Sequence, residues 1–144
     1  LLGITQQLPE EALYTTFDAS NKRLPKVLVV DDNVVNLLIM RKFLANLGID
    51  ADVAANGREA IDFVQRDDFD LVFMDVQMPE IDGLTATRLI REISLTAQPF
   101  IIALTANAFE TDRERCLAAG MNDFLSKPFL FDDIKNKLSS FWQA

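Results

Sequence analysis

Five short apolar runs, separated by stretches of helical periodicity, restrict the fold of this chain more than any other feature. The runs are KVLVVD (26–31), ADVAA (51–55), DLVFMD (70–75), FIIALT (100–105) and DFLSK (123–127). Strands that are apolar on both faces and alternate with helices are typical of parallel sheets covered on both sides. The sequence therefore predicts a doubly wound α/β domain with a five-stranded parallel sheet and helices on both faces.

The segments between and after the runs predict helices through the spacing of their apolar residues. Gly48 is predicted to end the first helix. Asn56 with Glu59 has capping-box-like spacing at the start of the second helix, and Thr111 with Glu114 has it at the start of the fourth. The predicted core-facing residues are Leu37, Met40, Leu44 and Leu47 on the first helix, Ala60, Ile61 and Val64 on the second, Ala86, Leu89, Ile90 and Ile93 on the third, and Ile134, Leu138, Phe141 and Trp142 on the fifth.

The composition is that of one globular domain, with 144 residues of which 49% are hydrophobic and 25% charged. The net charge of −8 disfavours contact with nucleic acid or with an anionic membrane surface. With no histidine and a single cysteine, the chain has neither a conventional zinc site nor a catalytic pair of histidine with serine or cysteine. Because no apolar run is long enough to span a bilayer and the first residues do not resemble a signal peptide, a cytoplasmic location is expected.

Residues 1–25 differ from the rest and are interpreted as a linker or lead-in helix, with the domain itself at 26–144. Pro9 is well placed to open a short helix with Glu10 and Glu11 in its first turn. The chain begins with leucine rather than methionine, so we expect it to be a segment of a longer protein.

Polar side chains stand where the predicted strands end. Asp31 and Asp32 follow the first run, Asp75 ends the third, Thr105 ends the fourth and Lys127 ends the fifth. The carboxyl ends of parallel strands meet at one edge of the sheet, where doubly wound proteins bind their ligands. Adjacent carboxylates in a partly buried setting repel each other by about a few kcal/mol, so a cation is expected there. Mg²⁺ suits one or two carboxylates together with a phosphate oxygen.

Phosphoryl transfer fits these residue types, because its catalysis consists mostly of positioning and of neutralising charge. Asp75 is the predicted nucleophile, and it would form an acyl phosphate. Lys127 offers a positive charge to one phosphate oxygen, and the Thr105 hydroxyl can donate a hydrogen bond to another. Lys127 also precedes Pro128, a bond at which the cis isomer is accessible.

The chain from Lys26 to Trp142 closely resembles the receiver domains of two-component response regulators. The resemblance rests on VLVVDDN, LVFMDVQMPEIDG, ALTA and FLSKPF, which occur in this order at family-like separations. DDNVVN, MDVQMPEIDG and ALTANAF are most similar to receivers attached to hybrid sensor histidine kinases. Ile81 departs from the pattern, since such relatives often carry methionine there, and the change is conservative. The resemblance implies a flavodoxin-like fold with strand order 2-1-3-4-5.

For the site, the resemblance implies phosphorylation of Asp75 by a phosphohistidine on a histidine kinase or a histidine phosphotransfer domain, with Mg²⁺ as the cofactor. Asp32, Asp75 and the Gln77 backbone carbonyl would ligate the metal directly. Asp31 would contact it through a water molecule. The domain itself would catalyse only its own phosphorylation and dephosphorylation, and the parent chain is expected to be a hybrid sensor histidine kinase.

The resemblance also implies a conformational switch. Thr105 and Lys127 take the phosphate-contacting roles, and Phe124 matches the switch aromatic. In the family the threonine moves toward the phosphoryl group, the aromatic turns inward, and the face made by the fourth helix, fifth strand and fifth helix changes. Gln77 and Asn107 lie at positions that tune dephosphorylation. The resemblance is compatible with a homodimer and with membrane anchoring of the parent kinase.

Plainer interpretations and other functions compete with this one. The plainer interpretations are a helix cap for Asp32 or Asn33, a core position for Phe124, a small buried hydrophobe for Cys116, and a turn for Asp82 with Gly83. A phosphorylation-independent pseudo-receiver would be an interaction module, but such modules usually lose a key acid or the lysine, and all are present here. A phosphatase with an aspartyl nucleophile needs a second acid two positions after Asp75, where Gln77 stands. A P-loop enzyme is excluded because the glycine-rich phosphate loop is absent.

Overall fold

The computed structural model describes residues 24–106 and 110–143, within which five strands form one parallel sheet. The strands are β1 (Val27–Val30), β2 (Asp52–Ala54), β3 (Leu71–Asp75), β4 (Phe100–Thr105) and β5 (Asp123–Ser126). Their order across the sheet is β2-β1-β3-β4-β5, with β3 in the centre. The predicted doubly wound fold and its strand order are therefore confirmed.

The helices of the described residues are α1 (Val34–Asn46), α2 (Gly57–Arg66), α3 (Gly83–Glu92), α4 (Glu110–Ala119) and α5 (Phe131–Gln143). The first turns of α1, α2 and α3 donate backbone N–H groups to the capping side chains of Asn33, Asn56 and Asp82. At α2 the Glu59 carboxylate also accepts from the Ala55 backbone N–H at 2.9 Å, so the predicted capping-box spacing forms real hydrogen bonds. α1 ends just before Gly48 as predicted, and the φ of 84° at Gly48 lies in the left-handed region that favours glycine.

The sheet separates two hydrophobic layers, because successive strand residues point to opposite faces. α2, α3 and α4 cover one face and α1 and α5 cover the other. The first layer includes Leu28, Val30, Val72, Met74, Ile101 and Ala103, and the second includes Val27, Val29, Leu71, Phe73, Ile102 and Leu104. None of these strand side chains is more than 1% exposed, which explains the uninterrupted apolar runs and leaves the strand ends for polar groups.

Two predictions about the helices are wrong, and one about the core is confirmed. Leu89 was expected on the buried face of α3 but is 39% exposed, because the buried face is centred on Ala86, Thr87 and Ile90. The described part of α4 starts at Glu110, so Thr111 lies within the helix rather than at its cap. Cys116 is 3% exposed among apolar neighbours, as predicted for a small buried hydrophobe.

Some predictions fall on parts of the chain that the structure does not describe. The lead-in helix was placed almost wholly within residues 1–23, and Asn107 and the side chain of Trp142 are also outside the described set. Among residues 24–106 and 110–143, none of the helices combines the length and the apolar character that crossing a bilayer requires.

Candidate functional site

A pocket, called the acidic pocket below, opens at the carboxyl edge of the sheet, where β1, β3 and β5 end. Its volume is about 180 Å³, and it is lined by Asp31, Asp32, Asn33, Asn36, Asp75, Gln77, Ala106 and Lys127. The parallel topology brings together side chains as much as 96 positions apart in the sequence. The predicted meeting of carboxylates and lysine at this edge is present in the structure.

Asp75 ends the central strand, and its side chain lies in the acidic pocket with 4% of the residue exposed. The Lys127 ammonium donates to Asp75 Oδ1 at 3.1 Å, and the Gln77 backbone N–H donates to the same oxygen at 3.4 Å. Burial, followed by the charge of Asp31, raises the pKa of Asp75 to about 6, although Lys127 and the Gln77 N–H oppose this shift. The ionised carboxylate is therefore destabilised in the folded domain, and additional positive charge would stabilise it.

Asp31 is buried more deeply than Asp75, with 1% of the residue exposed. Its Oδ1 accepts a hydrogen bond from the Asn33 backbone N–H at 2.9 Å. Its Oδ2 accepts one from Asn36 Nδ2 at 3.1 Å and a second from Lys127 Nζ at 3.4 Å. A nearly inaccessible carboxylate is thus satisfied by two neutral donors and one shared ammonium.

The three carboxylates of the acidic pocket have the arrangement of a cation site. Asp31, Asp32 and Asp75 each offer an oxygen, and these oxygens all lie within 4.8 Å of one another. Asp32 is exposed, so the pocket is accessible to solvent on that side. Clustered carboxylate oxygens of this kind are the ligands that hard divalent cations prefer. The residues present fit a Mg²⁺ ion.

Lys127 enters the acidic pocket from the end of β5. Thr105 pairs with Ser126 in the β4–β5 ladder, and the Lys127 backbone N–H donates to the Thr105 carbonyl at 2.7 Å. The Lys127 side chain is 25% exposed, and its ammonium lies between the two buried carboxylates, Asp31 and Asp75. The Lys127–Pro128 peptide bond is cis.

Thr105 is 8% exposed, and it lines a second cavity rather than the acidic pocket. This neighbouring cavity has a volume of about 390 Å³, and Gln77 lines both spaces. The structure thus gathers Asp31, Asp32, Asp75 and Lys127 as predicted and leaves Thr105 beside them. The movement of Thr105 toward Asp75 that the family resemblance implies would begin from this second cavity.

Two glycines fix the loop between β3 and α3 beside Asp75. A Cβ at Gly83 would collide with the Asp75 carbonyl oxygen, and the Gly83 N–H donates to the Val76 carbonyl at 2.9 Å. A Cβ at Gly57, in the first turn of α2, would lie 2.9 Å from Ile81. Glycine is therefore needed at both positions for the backbone to approach this closely.

Phe124 lies half-buried on β5, between α4 and α5. The Arg113 guanidinium carbon lies 4.6 Å from the ring centroid, and Lys137 Nζ lies 5.6 Å from it, both within cation–π range. The ring also packs against the hydrophobic layer beneath α2, α3 and α4. A core role and a switch role both fit this position, so the switch role stays a prediction.

Two asparagines of the acidic pocket were not predicted as site residues. Asn33 caps α1 through its side chain, which agrees with the plainer interpretation, and its backbone N–H also binds Asp31. Asn36 reaches back from the third residue of α1 to bind Asp31 through its side-chain amide. Helix spacing was the available signal, because a side chain three positions after a cap residue is placed to fold back over the helix start.

The family profile for the response regulator receiver domain matches residues 27–139. The chain belongs to this family. This receiver domain is 42% identical over 120 residues to hybrid signal transduction histidine kinase K of Dictyostelium discoideum. The match covers 78% of this chain and 10% of that kinase. The chain spans 18% or less of the length of each curated relative compared with it.

Two solved receiver structures have the same fold. The receiver domain of sensor histidine kinase PA1611 from Pseudomonas aeruginosa PAO1 is 38% identical with a TM-score of 0.77, covers 85% of this chain and 100% of its own, and holds a magnesium ion in its active site cleft. The receiver domain of the Saccharomyces cerevisiae response regulator Ssk1 is 32% identical with a TM-score of 0.76, covering 84% of this chain and 92% of its own. That receiver was crystallised with the histidine phosphotransfer protein Ypd1. The chain is thus a phosphorelay receiver domain like those of hybrid histidine kinases.

Proposed function

We propose that this receiver domain accepts a phosphoryl group from a phosphohistidine onto Asp75. The observation that carries the proposal is the setting of Asp75, which is 4% exposed at the end of the central strand with the Lys127 ammonium 3.1 Å away. Burial and the charge of Asp31 destabilise the Asp75 carboxylate. Bonding of its oxygen to phosphorus brings the negative phosphoryl oxygens into the pocket, where the Lys127 ammonium lies to neutralise their charge.

In the proposed step, a carboxylate oxygen of Asp75 attacks phosphorus while the bond from phosphorus to the imidazole nitrogen breaks. The electron pair of the broken bond stays on the imidazole, which leaves as a neutral ring when its other nitrogen carries a proton. The Lys127 ammonium lies within 3.4 Å of both buried carboxylates. In the proposed step it contacts a phosphoryl oxygen and neutralises part of its negative charge. Thr105 is the proposed donor to another phosphoryl oxygen, reached from the second cavity.

The proposed Mg²⁺ ligands are Asp32, Asp75 and the Gln77 backbone carbonyl, with Asp31 contacting the ion through water. Three carboxylates and one ammonium leave two negative charges uncompensated in the acidic pocket, which a divalent cation would neutralise. Bound Mg²⁺ supplies positive charge to the phosphoryl oxygens during transfer. The magnesium ion in the related PA1611 receiver supports this assignment.

The phosphohistidine must come from another domain or another chain, because this chain contains no histidine. The exposed side of α1, next to the acidic pocket, is unusually apolar. Its residues form what we call the α1 apolar surface, with exposures of 41% to 65%: Val34, Val35, Leu38 and Ile39. A groove of about 320 Å³ beside it shares Asn36 and Lys127 with the acidic pocket.

We propose that a histidine phosphotransfer domain docks on the α1 apolar surface. The continuity of this surface with the acidic pocket would bring a phosphohistidine carried by such a domain close to Asp75. An apolar helix face of this kind suits a protein partner better than a small metabolite. The complex of the Ssk1 receiver with Ypd1 supports a partner of this class.

The parent protein is proposed to be a hybrid sensor histidine kinase. Several of the curated relatives, at 40% to 44% identity, are kinases of this kind. A receiver must share a compartment with the ATP-dependent kinase that supplies its phosphoryl group, so we propose the cytoplasm as its location.

The proposal is tested by incubating the domain with acetyl phosphate and Mg²⁺ and measuring its intact mass. One phosphoryl adduct is expected, and it should be absent with EDTA or in the Asp75→Asn variant. Asp62→Asn, which replaces an exposed carboxylate on α2, is the matched control and should be labelled like the unsubstituted domain. An unchanged mass of the unsubstituted domain would instead favour a phosphorylation-independent interaction module.

A further inference from the structure

We infer that Asn36 is a positioning residue for phosphoryl transfer, acting through Lys127. Its side-chain amide shares one oxygen of Asp31 with the Lys127 ammonium and so leaves that ammonium directed toward Asp75. The inference rests on the proposed function of the acidic pocket. It assigns a role to a residue that is neither the acceptor nor a metal ligand in that proposal.

The side chain of Asn36 is not needed to cap α1. The cap is made by Asn33 Oδ1, which accepts from the Val35 backbone N–H at 2.9 Å and from the Asn36 backbone N–H at 3.3 Å. The Asn36 amide instead donates to Asp31 Oδ2 at 3.1 Å. The backbone cap holds Asn36 in place, and the side chain remains available for the acidic pocket.

The distances around Asp31 show what the amide does. Asp31 Oδ2 lies 3.1 Å from Asn36 Nδ2 and 3.4 Å from Lys127 Nζ, whereas Lys127 Nζ lies only 3.1 Å from Asp75 Oδ1. A carboxylate that is 1% exposed requires donors for its oxygens. Without the Asn36 amide, Lys127 would be drawn toward Asp31 Oδ2 and away from Asp75, where the phosphoryl group arrives.

The Asn36 amide carries no charge, and this affects the net charge of the acidic pocket. A second lysine or an arginine at position 36 would also satisfy Asp31, but it would cancel a negative charge that the metal requires. An amide satisfies the oxygen and leaves the charge of the pocket unchanged. Asn36 also lines both the acidic pocket and the apolar groove, so it stands at the boundary that a phosphodonor domain would approach.

A double-variant cycle tests the inference through rates of labelling by acetyl phosphate at saturating Mg²⁺. Asn36→Ala is expected to lower the rate by about five- to tenfold, the effect of losing one hydrogen bond that positions a reacting group. In a Lys127→Ala background the same substitution should change the rate by less than about twofold, since its effect passes through the lysine. The dissociation constant for Mg²⁺, measured by calorimetry, should change by less than about threefold. The substitution removes only one hydrogen bond to Asp31, and in the proposed function Asp31 contacts the ion through water.

Asn46→Ala, at an exposed asparagine near the end of the same helix, is the matched control and should label at the unsubstituted rate. Asn36→Gln, which keeps the amide, should recover part of the rate, and Asn36→Ser replaces Asn36→Ala if the alanine variant does not fold. The inference would be overturned if the rate reductions of the two single variants multiply in the double variant. It would also be overturned by an unchanged rate for Asn36→Ala, or by a parallel loss of Mg²⁺ affinity. An unlabelled unsubstituted domain would instead refute the proposed function.

Discussion

Asp75 has the most strongly perturbed environment of the acidic pocket. It is 4% exposed, and burial together with the neighbouring Asp31 charge raises its pKa to about 6 from an ordinary value of 3.8. Lys127 shares its ammonium between the two acids and only partly offsets this. In the metal-free domain the ionised Asp75 carboxylate therefore lowers the free energy of unfolding at neutral pH.

The first residue-scale prediction concerns stability against pH in EDTA. The folded pKa of Asp75 is above its unfolded value, so the folded state binds more protons between about pH 4 and pH 6, and the free energy of unfolding falls as pH rises through that window. Asp75→Asn should therefore be more stable than the unsubstituted domain at pH 7, by on the order of 1 to 3 kcal/mol. The advantage should disappear below about pH 4, where Asp75 is protonated in both the folded and the unfolded state.

Urea denaturation at several pH values measures this difference, with Asp62→Asn as the control for replacing a carboxylate on the surface. A stability gain of Asp75→Asn that grows as the pH is lowered would contradict the raised pKa. A gain that is the same at every pH would assign the effect to packing rather than to ionisation.

At the scale of elements, α1 carries apolar side chains on two of its sides. Leu37, Met40 and Leu44 face the core, while the α1 apolar surface faces outward beside the acidic pocket. The inner face explains why the helix forms and packs, because those side chains are removed from water. Within the described part of the chain the outer side chains stay 41% to 65% exposed, which fits the proposed docking of a protein partner there.

The element-scale prediction is that Leu38→Glu, at a residue 59% exposed, separates protein-mediated transfer from chemical labelling. Transfer from a phosphorylated histidine phosphotransfer domain should slow by about tenfold or more, because a charge would be buried in an apolar contact. Labelling by acetyl phosphate should be unchanged, since that small donor needs no docking surface.

Leu117→Glu is the matched control, since Leu117 is a similarly exposed leucine, at 57%, on α4. Radiolabel transfer from a phosphotransfer domain that labels the unsubstituted receiver gives the rates. Equal slowing in both leucine variants, or equal rates for Leu38→Glu and the unsubstituted domain, would mean that the partner docks elsewhere.

At the scale of the whole molecule, the parallel sheet concentrates negative charge at one edge of a domain whose core is otherwise apolar on both sides. The sheet holds Asp31 and Asp75 in place regardless of their repulsion, because β1 and β3 pair directly. A cation that binds only the folded arrangement must therefore stabilise the entire fold.

The whole-molecule prediction is that Mg²⁺ raises the thermal midpoint at pH 7.5 and that EDTA reverses the rise. At a hundredfold excess over its dissociation constant, a ligand specific for the folded state adds about 2.7 kcal/mol to the free energy of unfolding. Asp32→Asn should remove most of the increment while leaving the metal-free midpoint nearly unchanged, because Asp32 is exposed. Sodium chloride at equal ionic strength is the control, and an equal rise with sodium chloride would show general screening instead of a site.

The sequence by itself determined the alternation of strands and helices, the strand ends where the acids and lysine stand, and the helix start at Asn56. These features are local, because apolar period and capping spacing act over a few neighbouring residues. With the parallel topology inferred, the meeting of Asp31, Asp75 and Lys127 followed from the rule that strand ends share one edge.

Only the tertiary structure decided which partners these side chains bind and how far each side chain is exposed. The exposure of Leu89, the position of Thr105 in a separate cavity, and the sharing of Asp31 Oδ2 by Asn36 and Lys127 depend on distances between segments far apart in the chain. A residue type indicates that a group can donate or accept a hydrogen bond. Which partner it binds is settled by packing at a resolution of tenths of an ångström, and no local pattern contains that information.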